Sequence, residues 1–252
     1  MKALWNTVLY KPLYNGLVFL VGLVGGDVGL AVVILTVFVK MALYPLTKRQ
    51  FLSQLQMKSI EPEMARIRET YKDDKALQSQ KTMELYREKK INPFSGCLVL
   101  LIQFPIIIAL YIVFLKGFPN GVFDANLLYH GVNIPNNLSM KFLGLFDVRS
   151  HNIVLALLAG ASQFLLAKMT VKKPVAGATT DTSFASQLSR SMNMQVLYVF
   201  PILIAVVAYK VAAAVALYWV TSNIVTLLQQ IYIERKLRSH PLSAPSVTYG
   251  QK

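Results

Sequence analysis

VGLAVVILTVFVKMALYPLTKR, residues 28–49, is the stretch on which the fold turns. Roughly twenty apolar residues are the length that crosses a hydrocarbon core. The run closes on Pro45 and the basic pair Lys48 and Arg49, a head-group boundary. Lys40 sits inside it. A charge at the bilayer centre costs about 2.5–3.5 kcal/mol on insertion scales. Two readings fit the stretch by itself. In one, Lys40 snorkels toward the basic end, ~12 Å away at ~1.5 Å per residue. In the other, it faces a water-filled cavity built with other spans.

The composition supplies those other spans. Of 252 residues, 54% are hydrophobic and 15% charged, against roughly 25% charged in soluble domains. The mean hydropathy is +0.46. This is the composition of an all-α integral membrane protein. The net charge of +14 fits positive-inside loops and anionic head groups, with nucleic acid a weaker partner class. A single cysteine, Cys97, excludes an intramolecular disulfide, and His130, His151 and His240 lack metal-ligand spacing. The start, MKALWNTVLYKPLYNG, has no charged-then-apolar-then-cleavage order, so no removable signal peptide is expected.

Outward from the opening stretch, residues 1–27 read as an extracytoplasmic interfacial amphipathic segment with Trp5, Tyr10 and Tyr14 at head-group depth; an extra span over 13–24 is the alternative. The first transmembrane helix is expected over 28–47. Residues 48–92 carry dense mixed charge, with Pro62 and Glu63 suited to a helix start and Lys72-Asp73-Asp74-Lys75 to a turn. They read as a cytoplasmic helical hairpin. The second span is placed at 93–115, an extracytoplasmic loop at 116–150 and the third span at 151–169. A cytoplasmic loop follows at 170–192, then the fourth span at 193–209 and the fifth at 211–233. Only Tyr209 and Lys210 part the last two, which makes them antiparallel neighbours. The basic tail, 234–252, is cytoplasmic. Basic flanks after spans one, three and five agree on an extracytoplasmic N-terminus and a cytoplasmic C-terminus.

Polar residues inside the spans carry the functional reading. On a straight helix Thr36, Lys40 and Tyr44 share one face at i, i+4, i+8. The fifth span sets Trp219, Ser222 or Asn223, Thr226 and Gln230 along a stripe, and the third adds Gln163. Such side chains bond across helices or line water. Interhelical bonding is the favoured reading of Ser222, Asn223 and Gln229. For Gln103, next to Pro105, a backbone-satisfying role at a kink is equally open. Lys40 is different, because no span offers it an acidic partner. An unpaired lysine must reach water, and a hydrated cavity shared by spans one, three and five provides it. Phosphate-binding loops, paired intramembrane carboxylates, metal sets and nucleophile–base arrangements are all missing, so neither an enzyme nor a cofactor is expected. A small transporter or channel that binds an anion at Lys40 is one alternative. A folding scaffold without insertion activity is another.

The motifs TVFVKMALYPLTKRQFLSQLQM (36–57), EPEMARIRETYKDD (61–74), LYREKKINPFSGCLVLLIQFPIIIALY (85–111) and LYWVTSNIVTLLQQ (217–230) resemble those of the YidC/Oxa-type/Alb3 membrane protein insertases. The likeness runs from about Trp5 to Arg238. It implies five transmembrane helices around a hydrophilic groove, open to the cytoplasm and the bilayer and capped by the hairpin. It also implies a bacterial inner-membrane location and nascent membrane proteins as clients. A Sec translocon, the signal-recognition-particle receptor and the ribosome are the further partners it implies. The family's groove arginine falls on Lys40, its groove glutamine on Gln163 and its aromatic on Trp219, with Thr36 at a substrate-facing position. Lysine is a departure, being a compact charge without the guanidinium fork. Ala212 and Ala214 stand where the family commonly has proline and glycine.

Overall fold

A computed structural model describes residues 5–91, 98–116, 123–170, 191 and 194–239. Most of the expected loop 170–192, the start of the second expected span and the tail beyond Ser239 lie outside the described residues. The helices are α1 (Lys11–Leu23), α2 (Val28–Ala42), α3 (Tyr44–Ser59), α4 (Glu61–Thr70), α5 (Lys75–Glu88), α6 (Leu98–Lys116), α7 (Ile153–Thr170), α8 (Phe200–Lys210) and α9 (Ala213–Ser239). π-helical turns, Asn6–Tyr10 and Gln195–Val199, lead into α1 and α8. A short antiparallel pair, β1 (Lys141–Phe142) and β2 (Phe146–Asp147), pairs Lys141 with Asp147 and Phe142 with Phe146.

The opening stretch is a broken helix rather than one straight span. α2 and α3 meet at Leu43 with a bend of 62°. Pro45 is the cause: it has no N–H to give the preceding turn, and its ring crowds the carbonyl four residues back. Leu43, at φ −84° and ψ 0°, ends one helix and starts the next. Its carbonyl accepts from the backbone N–H of Leu46 and Thr47.

By length and composition, α7 and α9 are each able to cross a membrane, and the bent α2–α3 pair makes a third. The protein is a helical membrane protein; among the described residues two or three units meet this criterion. α6 has 19 residues with Pro105 inside it. The 195–210 unit is short: 16 residues reach about 24 Å, under the ~30 Å of a hydrocarbon core.

α9 is the helix the others pack on; it touches α2, α3, α6, α7 and α8. The main core joins Tyr14, Leu17, Val18 and Val21 of α1 to Val28, Ala31, Val32 and Leu35 of α2, with Ile106, Leu110 and Val113 of α6. α1, expected to lie at the interface, thus buries one side among the other helices. Asn15 is buried there too and bonds Leu127 and Tyr129 of the long loop. A second cluster joins Leu155, Ala156 and Ala159 of α7 to Ala208 of α8 and Val215, Ala216 and Trp219 of α9. Gly160 lets α7 approach α8 closely: a Cβ there would lie 2.9 Å from that of Ala205. Elsewhere the flanks of α7 and α8 present bare apolar residues, Leu157, Leu165, Ile202 and Val206 among them, as a lipid-facing surface must.

α4 and α5 form the expected helical hairpin. Ile60, Leu85 and Ile91 are its small core. Asp74 caps α5 by accepting from the Leu77 N–H at 2.9 Å. Lys89 reaches Glu63 across the pair at 2.9 Å. Both partners are substantially exposed, so this ion pair is a minor contributor beside the apolar contacts.

Candidate functional site

Lys40, near the end of α2, is half-buried and points at α6 and α9. Its Nζ donates to Gln103 Oε1 on α6 at 3.4 Å, a long and weak bond. Gln103 Nε2 in turn donates to the Tyr218 hydroxyl on α9 at 2.7 Å. The amide is oriented by its neighbours, since the ammonium needs an acceptor and leaves the nitrogen to face the phenol. Among the described residues Lys40 makes no ion pair. Three helices thus contribute one side chain each to a polar chain that starts in an ammonium.

The bend beside it adds a second link. In a continuous helix the Lys40 carbonyl would accept from the N–H of Tyr44. With the helix broken at Leu43, that carbonyl accepts instead from Gln229 Nε2 of α9, at 3.1 Å. Gln229 is 7% exposed and its Oε1 has no protein partner. Gln229→Leu would leave a partly buried carbonyl without its donor, a loss of about 1 kcal/mol. We expect a lowered melting temperature in detergent for Gln229→Leu and near wild-type melting for Gln229→Glu only where the acid is protonated, that is, at low pH. Equal melting of Gln229→Leu and wild type would show that the carbonyl is satisfied another way.

The expected site residues fall in different places. Thr36 is 2% exposed and donates to its own helix at Val32 O, so its hydroxyl is occupied within the packing. Tyr44 follows the bend, and therefore leaves the straight face it would share with Thr36 and Lys40. Gln163 is half-buried on α7. On α9 the expected stripe keeps Trp219, Asn223, Thr226 and Gln230 on one line, and a second line runs beside it. Tyr218 faces α6 and Gln229 faces α2. Trp219 packs in the α7 cluster, 8% exposed, while Asn223 Nδ2 donates to Ser162 Oγ of α7 at 3.1 Å. Ser222 is fully enclosed, Thr226 back-bonds to the Ser222 carbonyl at 2.8 Å, and Gln230 is buried. Helical geometry explains the two lines: residues four and eleven apart nearly eclipse, whereas neighbours stand ~100° apart. Tyr218, Ser222 and Gln229 therefore form one line, with Trp219, Asn223, Thr226 and Gln230 beside it.

Gln103 resolves toward a side-chain partner role, since both ends of its amide reach other helices rather than its own backbone. Tyr218 was not singled out by the sequence reading. Its spacing to Ser222 and Gln229 was the available signal, hidden beside the more conspicuous tryptophan.

Comparison with known proteins gives one consistent answer. The family described as 60Kd inner membrane protein matches residues 19–240. A membrane protein insertase YidC of Fusobacterium nucleatum subsp. nucleatum is 35% identical over 211 residues, covering 84% of this chain and 88% of that protein. One of Oceanobacillus iheyensis is 32% identical over 240 residues, covering 93% and 85%. One of Actinobacillus pleuropneumoniae serotype 3 is 33% identical over 238 residues and covers 94% of this chain. This chain spans only 39% of the length of that longer relative.

Proposed function

The chain belongs to the 60Kd inner membrane protein family, and on that premise we propose that it inserts client proteins into the membrane through a hydrated groove beside Lys40, without nucleotide hydrolysis. The observation that carries the reading is the Lys40–Gln103–Tyr218 chain, an ammonium held inside an apolar bundle with no acidic partner among the described residues. Five spans enclose the groove: the 28–47 stretch, α6, α7, the 195–210 unit and α9. The hairpin of α4 and α5 caps its cytoplasmic mouth.

The obstacle for a client is its short polar segment, whose backbone and charges lose water on the way across. A groove that reaches part of the way shortens the dry path. Lys40 attracts acidic and carbonyl-rich segments into it. Gln103, itself held by Tyr218, tethers the ammonium loosely, at 3.4 Å, so an incoming carboxylate displaces a weak bond rather than a strong one. Gln163 adds hydrogen bonding from the α7 side, and Thr36 and Trp219 shape the wall. The client's apolar helix then partitions into lipid along the bare flanks of α7. Burial of its apolar surface, at roughly 25 cal/mol per Å², drives the step. Nascent membrane proteins and the bilayer are the partners. A Sec translocon, the signal-recognition-particle receptor and the ribosome are partners by the same family reading. A bacterial inner membrane with the C-terminus in the cytoplasm fits the basic flanks. A transporter that binds an anion at Lys40 has no observation in its favour.

The test is reconstitution of the purified protein alone in vesicles. A single-spanning client with a short polar tail should insert, scored by protease protection of the tail. A photo-crosslinker at Gln163 should capture that client, and one at lipid-facing Leu157 before the client reaches lipid should not. Vesicles that leave the client fully protease-sensitive would refute the reading. Flux of small anions without client insertion would replace it with the transporter.

A further inference from the structure

The β1–β2 hairpin carries a contradiction that neither the fold nor the polar cluster explains. The Leu145 N–H donates to the Phe142 carbonyl at 2.8 Å, closing a tight turn over Phe142–Leu143–Gly144–Leu145. The two central residues have φ of +47° and +75°, the pattern of a type I′ turn. Asparagine, aspartate or glycine suits the first of these positions, because a bulky side chain is strained there. The protein places leucine. It also leaves Leu143 61% and Leu145 76% exposed, the latter being the barest large apolar side chain among the described residues. Strain and exposure together are costs that packing does not recover.

The hairpin is nevertheless held firmly. Asp27 caps α2 with Oδ1, which accepts from the Leu30 N–H at 2.8 Å. Its Oδ2 accepts from the strained Leu143 N–H at 2.7 Å. Phe142 lies so close on α2 that a Cβ at Gly29 would come within 2.6 Å of it. Phe142 and Phe146 both pack against the two main cores. The N–H groups of Ala213 and Ala214, opening α9, donate to Ser150 and Val148 at the hairpin's base. The turn is thus fixed at the depth of the first turn of α2 and the starts of α7 and α9. At the start of α7, Ile153 and Val154 are also bare, so the apolar outer face of α7 begins in its first turn. Charge fits as well. Arg149 bonds Asp147 at 2.8 Å and holds its carboxyl below the ordinary carboxylate range, leaving no uncompensated acid at the base, while Lys141 is exposed beside the tip.

We propose that the Leu143–Leu145 tip is a lipid anchor, inserted among the head groups and upper acyl chains of the leaflet on the side of the α2 N-terminus, with Lys141 at a lipid phosphate. The leucines gain in lipid what they lose by strain and exposure in water. Asp27 then couples that anchor to the start of the lysine-bearing helix. This rests on the chain's being embedded in a membrane and is independent of the groove reading.

Spin labels test it in the full-length protein with Cys97→Ser, reconstituted in phosphatidylcholine–phosphatidylglycerol vesicles. Leu145→Cys, Asn136→Cys on the exposed loop and Leu157→Cys on the bare face of α7 are labelled separately. Collision with oxygen and with a water-soluble nickel chelate gives depth. The label at 145 should resemble that at 157, favouring oxygen, and the label at 136 should favour nickel by at least several-fold. Nickel access at 145 equal to that at 136 overturns the anchor. Nickel access at 157 as well would instead overturn the membrane embedding. Lys141→Glu with the label at 145 serves as a second variant that leaves the turn intact. It should shift the label toward water most in vesicles rich in phosphatidylglycerol, whose phosphate charge is not offset by choline; a label depth there equal to that with Lys141 intact overturns the phosphate contact.

Discussion

Lys40→Ala lowers the insertion of a client with a short acidic tail by about tenfold or more, while Lys40→Arg keeps most of it. The size follows from electrostatics. Two opposite charges ~4 Å apart interact by about 4 kcal/mol at an effective dielectric constant near 20, and desolvation of both removes much of that. A remainder of about 1.4 kcal/mol is already a factor of ten in rate. A client with a neutral tail loses only the polar contact and slows about twofold to threefold. The acidic-to-neutral ratio is therefore the measurement, taken in vesicles holding only the purified protein. Arginine restores the charge and adds a second donor to Gln103, so it tests charge and not shape. A ratio unchanged by Lys40→Ala would remove the lysine from the mechanism. Gln103→Leu is the companion. It cuts the link between Lys40 and Tyr218, frees the ammonium, and should leave the acidic preference in place.

What was legible in the sequence follows from the kind of pattern each feature leaves. The apolar runs, the hairpin at α4–α5 and the anomaly at Lys40 are written in composition and spacing, and the chain's motifs carried the family resemblance. The break at Leu43 was announced by Pro45, yet its 62° depends on how α3 packs against α9. A face drawn through Thr36, Lys40 and Tyr44 assumes a straight axis, which the bend denies. Gln229 was read as interhelical bonding, and it does bond another helix; that its target is the carbonyl freed by the break needs both helices in place. Trp219 drew attention from its neighbour because aromatic size is visible in a sequence and a hydroxyl's partner is not. The tertiary role of the 137–148 segment is the least legible of all. Its two-residue strands carry no periodicity, and its meaning lies in contacts to Asp27 and Gly29 more than a hundred residues earlier.

Gly26→Ala should be the most damaging of the single-methyl additions, and Gly25→Ala shows why. Both glycines end α1 with positive φ, +72° at Gly25 and +98° at Gly26. A side chain at Gly25 meets nothing within 4 Å, so alanine there costs only backbone strain, about 1–2 kcal/mol. A Cβ at Gly26 would fall on the carbonyl oxygen of Asn137 and within 2.7 Å of its carbon. Neither group can swing away. Gly26 N–H donates to Val21 O at 2.8 Å, and its own carbonyl accepts from the Ser139 N–H at 2.9 Å. Ser139 O in turn accepts from Val28 N–H at 3.1 Å, at the start of α2. Moving the backbone to admit the methyl breaks this exchange, adding lost hydrogen bonds of about 1 kcal/mol each to a strain of about 1–3 kcal/mol. We expect Gly26→Ala to lose about 3 kcal/mol or more and Gly25→Ala about 1–2 kcal/mol. Thermal melting of the two variants in the same detergent compares them directly. Hydrogen exchange adds location, since the amides of Val28 and Ser139 should lose protection in Gly26→Ala and keep it in Gly25→Ala. Equal destabilisation by the two would mean that φ alone governs this turn and that the contact with Asn137 yields easily. The joint then would not be the rigid seat that fixes both the start of α2 and the leucine-tipped hairpin.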